Sequence, residues 1–90
     1  MKTIADFKRK MTVGSKWHTM HQFTNKAPTD IGERLCTINR SNSFAFASLR
    51  SENTNSWCDW PKKKEVTFPD AKTIKIDTGF CTLTYTFIEA

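Results

Sequence analysis

Glycine is scarce: Gly14, Gly32 and Gly79 are the three glycines in a chain of 90 residues. A loop that cradles phosphate needs glycines gathered where a strand turns into a helix. These three stand far apart and none opens a helix after a strand, which excludes nucleotide chemistry of the glycine-loop kind. No apolar run approaches the roughly 18 residues of a membrane span. The opening Met1-Lys2-Thr3-Ile4-Ala5-Asp6-Phe7-Lys8 lacks the apolar stretch of a secretory signal. The expected location is therefore the cytoplasm, with no membrane partner.

Cysteine is also sparse and badly placed for chemistry. Cys36, Cys58 and Cys81 are odd in number and widely spaced, so no pair has the spacing of a zinc knuckle or a redox motif. The reading is three reduced, small apolar side chains. A cysteine nucleophile needs a positioned base and a lowered pKa, yet each cysteine sits in or beside an apolar strand. His18 and His21 lie three apart, and on a strand such residues point to opposite faces. They cannot readily share an ion, and zinc needs about four ligands. Asp59 and Asp70 form no carboxylate pair. The chain is expected to be no enzyme, with no catalytic residue, no metal and no cofactor.

What is present suits one small domain over residues 1–90. A domain of this size buries only roughly 60–65% of its unfolded surface, so a large substrate cavity would remove much of its core. Apolar residues make up 38% and charged residues 26%, a balance that supports a packed core rather than disorder. The net charge is +5 and the isoelectric point is about 9.3, which favours acidic partners.

Residues 3 to 11 read as a short amphipathic helix. Thr3 can cap it, Asp6 suits its first turn, and Ile4, Phe7 and Met11 recur at helical spacing. Lys8, Arg9 and Lys10 crowd its C-terminal end, and Gly14 stops it. The rest has strand periodicity. Trp17, Thr19, His21 and Phe23 alternate with His18, Met20 and Gln22. Residues 25 to 32, with Pro28, read as a loop. Strands follow over 34 to 39, 44 to 49, 56 to 60, 65 to 68 and 73 to 77, with turns at 40 to 43, 51 to 55, 69 to 70 and 78 to 79. In the last strand Cys81, Leu83, Tyr85 and Phe87 face one way and Thr82, Thr84 and Thr86 the other. The fold expected is mainly β: a short N-terminal helix followed by about six strands in an antiparallel sheet or a small SH3-like or OB-like barrel. The first choice is a barrel with the helix over one opening; an open meander is the alternative. Phe7, Trp17, Leu35, Ile38, Leu83, Tyr85 and Phe87 form the expected core.

Ser56-Trp57-Cys58-Asp59-Trp60-Pro61-Lys62-Lys63-Lys64 is the most distinctive segment. Its expected role is a partner-binding surface made of Trp57, Trp60, Lys62, Lys63 and Lys64, joined by Lys8, Arg9 and Lys10 if the helix packs near Pro61. Tryptophan is enriched in binding hot spots, and lysines attract acidic groups. Strand parity places Trp57 and Trp60 on opposite faces, with Trp57 assigned to the core and Trp60 nearer the surface.

Several segments together resemble small accessory proteins encoded by phages, prophages and other mobile elements. They are Thr12-Val13-Gly14-Ser15-Lys16-Trp17, Ser41-Asn42-Ser43-Phe44-Ala45-Phe46, the tryptophan segment from Ser56 to Lys62, and Leu83-Thr84-Tyr85-Thr86-Phe87. The resemblance implies an accessory factor in the cytoplasm of a bacterial host. Such factors include inhibitors of host defence enzymes, anti-CRISPR proteins among them, which bind and block without turnover. The partner implied is a host protein, such as a nucleic-acid-processing defence enzyme. The basic charge departs from the acidic mimics of DNA. A small basic nucleic-acid-binding β-barrel is the competing reading.

Overall fold

The computed structural model describes residues 1–48 and 56–89. The expected turn over residues 51–55 and the end of the third strand at Leu49 lie outside them. Thr3 starts the helix as expected: its hydroxyl accepts the Asp6 N–H at 3.1 Å. Helix α1 spans Ile4–Lys10, and Met11 closes it by donating its N–H to the Phe7 carbonyl at 3.0 Å. The Asp6 carboxylate accepts the Lys2 N–H at 2.9 Å and pairs with Arg9. Seven residues are too few for a helix to persist alone in water. Its stability comes from docking: Phe7 and Met11 are fully buried, and Ile4 is half-buried.

Seven strands follow: β1 Lys16–Phe23, β2 Thr29–Asn39, β3 Ser43–Ser48, β4 Ser56–Asp59, β5 Val66–Asp70, β6 Thr73–Asp77 and β7 Cys81–Ile88. A 3-10 turn at Lys63–Glu65 leads into β5. The sheet order is β4-β3-β2-β1-β7-β6-β5, with each paired neighbour antiparallel. Two meanders thus join through β1 and β7. The sheet curls into a half-barrel, helped by register shifts in β1–β2, β2–β3 and β5–β6 that locally bend and twist strands. The mainly β architecture with its N-terminal helix is the one expected, but the curl stops short of closure, with β4 and β5 at its two ends.

The alternation in β1 and β7 holds. Trp17, Thr19, His21 and Phe23 stand opposite Phe87, Tyr85, Leu83 and Cys81, and this face lines the concave side. Phe7 enters that concavity. Its ring lies edge-on to Trp17 at 5.6 Å and to Phe44 at 5.7 Å, and stacks on Tyr85 at 6.3 Å. Of the expected core, Phe7, Trp17 and Tyr85 are buried, while Leu83 and Phe87 are partly buried against it. Leu35 and Ile38 are corrections: both are half-buried and outside the core. In β2 the inward position belongs to Cys36, opposite Phe46, so its neighbour Leu35 faces the other way; a register shift then precedes Ile38. Phe44, Phe46, Ile74 and Ile76 complete the core.

The expected loop over residues 25–32 is shorter, because β2 begins at Thr29. Gly32 is a strand residue opposite Thr19, beside a register shift and with φ +88°, a conformation glycine supplies without strain. Thr19, itself buried, donates its hydroxyl to the Gly32 carbonyl at 3.1 Å. No described helix is long and apolar enough to cross a membrane.

Candidate functional site

The tryptophan segment lies at one end of the sheet, and the two rings have exchanged their expected roles. Trp57 is 56% exposed, with the Arg40 guanidinium 5.6 Å from its ring centre. Trp60 is half-buried; its ring lies 4.5 Å from Phe44 and 5.7 Å from Phe7, and its indole N–H donates to the Arg40 carbonyl at 2.7 Å. The register explains the exchange. Cys58 stands opposite the inward Phe44 and Trp57 opposite Ala45, so Cys58 points in and Trp57 out. Strand parity ends with β4 at Asp59. Trp60 lies beyond it, and the chain at Pro61 folds the ring back over the helix.

The helix does meet this segment: the Lys8 ammonium lies 5.5 Å above the Trp60 ring. The other cations disperse. Lys10 sits over Phe87 at 4.8 Å, and Arg9 pairs with Asp6. Lys63 lies beside Lys2, Thr3 and Ile4 at the start of α1. Lys64 is exposed. Lys62 donates its backbone N–H to Glu65 at 2.8 Å, which pins the 3-10 turn. The eight expected residues therefore form no single patch. Trp57, Trp60, Lys8 and Lys62 belong together, and Arg40 joins them. Arg40 went unread because it opens the turn between β2 and β3, a role that carries no sequence signal until the register of β3 with β4 is known.

Between this segment and the far side of the curl lies a cleft of about 370 Å³. Phe44, Cys58, Trp60, Ile76, Leu83 and Tyr85 supply its apolar lining, and Asp59, Lys62, Glu65 and Thr78 its polar groups. The Cys58 thiol lies 3.7 Å from the Tyr85 hydroxyl. Burial, then the neighbouring Cys58, pushes the Tyr85 phenol far above its ordinary 10.0. A phenol so held stays protonated near neutrality and offers no general base to the thiol. The cleft is equipped for apolar and charge-assisted contact.

Two solution properties follow. Tyr85 is the one tyrosine in the chain, so tyrosinate absorbance reports it alone. As pH rises past 10.0, an unfolded chain ionises Tyr85 while the folded chain holds it neutral, so stability declines above that value. Tyrosinate should therefore appear only together with the unfolding transition seen by circular dichroism. A smooth titration near pH 10 in folded protein would contradict the buried placement. Cys36 is buried, and that burial raises its thiol pKa above 9.0, whereas Cys58 and Cys81 are half-buried. In folded protein a thiol reagent should modify Cys36 last, as mass spectrometry of partly labelled chains would show.

The histidines separate as parity requires. His18 Nε2 lies 2.7 Å from Asp30 Oδ1, and the contact holds the Asp30 carboxyl below its ordinary value, aided by the Gly32 N–H. His21 packs edge-on to Phe23 at 5.0 Å on the opposite face. Among the described residues no three His, Cys, Asp or Glu side chains gather to hold a metal ion. Comparison with protein-family models, with curated proteins and with solved structures found no match to this chain.

Proposed function

We propose that this chain is a non-catalytic binding protein that occludes the surface of an acidic partner protein, with Trp57 and Arg40 at the centre of contact and Trp60, Lys8 and Lys62 beside them. The observation that carries this reading is an exposed tryptophan, cation-stacked by Arg40, on the strand β4 at one end of the sheet. Tryptophan and arginine dominate interface hot spots. The resemblance to accessory proteins of mobile elements supplies the class of partner, a host defence enzyme in the bacterial cytoplasm, and the mode, blocking without turnover.

Nucleic acid is the weaker reading. Stacking of bases needs open aromatic faces, and Trp60 spends one of its faces on Phe44. The basic runs split around the helix: Lys8 lies over Trp60, whereas Lys63 lies at the start of α1. Pull-down from bacterial lysate, with and without nuclease, tests the reading. The parent should capture a protein from nuclease-treated lysate, and an Arg40→Glu variant should not. Capture that requires nucleic acid and collapses with modest added salt would support phosphate binding instead.

A further inference from the structure

A groove of about 490 Å³ lies where the start of α1 meets β5, within the roughly 300–1,000 Å³ of small-ligand sites. The helix side brings Lys2, Thr3 and Ile4, and the other side brings Lys63, Val66 and Phe68. Ile4, Val66 and Phe68 are half-buried and supply an apolar lining, while Lys2 and Lys63 are exposed. Among the described residues neither lysine ammonium pairs with a carboxylate, and no carboxylate lines the groove. The acids nearest in sequence are engaged elsewhere. Asp6 accepts the Lys2 N–H and pairs with Arg9, and Glu65 accepts the Lys62 N–H and lines the cleft of Trp60 and Tyr85 instead.

We infer that this groove binds a medium-chain fatty acid as its anion, with the alkyl tail against Ile4, Val66 and Phe68 and the carboxylate at Lys2 and Lys63. The site is separate from the surface proposed above and does not rest on it. An apolar lining flanked by cations without a counter-charge matches both halves of such an amphiphile. Exposed ion pairs are weak, so the two lysines alone do not retain a small anion, and affinity comes from the tail. Each methylene taken out of water strengthens binding about fourfold. A peptide fits less well. It would need main-chain partners from β5, where Pro69 and a register shift between Thr67 and Asp70 interrupt the ladder; both features oppose pairing with an added strand. A second copy of this chain would bring net +5 to a groove that is already cationic.

The test titrates the isotope-labelled full chain with octanoate, kept below its micelle concentration. Saturable chemical-shift changes are expected at Ile4, Val66 and Phe68, with the Trp57 indole unmoved. Decanoate, two methylenes longer, should bind roughly tenfold tighter. Octanol, which lacks the charge, should bind about threefold or more weakly. Lys2 and Lys63 are exposed, so a Lys2→Glu/Lys63→Glu variant should fold as the parent does and bind octanoate at least about tenfold more weakly. Arg40→Glu should bind octanoate unchanged, which keeps this site distinct from the proposed protein-binding surface. No saturable change, changes centred away from the groove, or unaltered affinity in the double lysine variant would each overturn the inference. A response to acetate as strong as that to octanoate would mean an adventitious ion only and would overturn it too. If phosphatidylglycerol vesicles sediment the chain while free octanoate leaves Ile4, Val66 and Phe68 unmoved, the ligand is a lipid surface and the inference fails.

Discussion

Phe7→Ala should cost about 3–5 kcal/mol, the range for truncating a buried aromatic. For a domain of this size, whose whole stability is roughly 5–13 kcal/mol, Tm should fall by roughly 12–40 °C. Phe7 has no exposed surface and touches the rings of Trp17, Phe44, Trp60 and Tyr85. Aromatic pairs in these edge-on and stacked arrangements add to the burial. The helix that carries Phe7 is seven residues long and has little reason to stay ordered once undocked. Melts followed by circular dichroism would decide the point. A variant melting within a few degrees of the parent would mean that the helix does not hold the concave face.

The second large effect separates the two tryptophans. Trp57→Ala should leave stability within about 0.5 kcal/mol, as expected for an exposed side chain. It should cut affinity for the captured partner by roughly 30-fold or more, the effect of losing a hot spot worth about 2 kcal/mol. Trp60→Ala should lower both, because its ring is packed on Phe44 and Phe7 and its indole holds the Arg40 carbonyl. Loss of about 2 kcal/mol or more of stability is expected there. The opposite pattern, a destabilised Trp57→Ala beside a stable Trp60→Ala, would reverse the facing of the segment.

Much of the fold was legible because local rules acted alone. Thr3, Asp6 and the Ile4–Phe7–Met11 stripe define α1 through capping and period. The alternation from Cys81 to Phe87 defines β7 because Leu83, Tyr85 and Phe87 pack toward the core. The rules failed where an element ended or bent. Strand parity sets Trp57 and Trp60 on opposite faces without saying which is inward; that direction is set by β3, since Cys58 opposite Phe44 must point in. Parity could not be carried to Trp60 at all, because β4 stops at Asp59. Gly32 read as a loop residue, but its positive φ serves an irregularity within paired strands. Leu35 and Ile38 read as core, but the inward position in β2 is Cys36. The proposed surface was half legible. Its tryptophans stand out in composition, whereas Arg40 and Lys8 reach them only through tertiary pairing.

The most direct measurement is chemical-shift mapping of isotope-labelled protein with and without the captured partner. The account predicts the largest changes at Trp57, Asp59, Arg40 and Lys62, with the Trp57 indole among them. Changes centred instead on the exposed Phe23 and Phe80, where the β1–β2 and β6–β7 turns meet, with β4 unmoved, would contradict it.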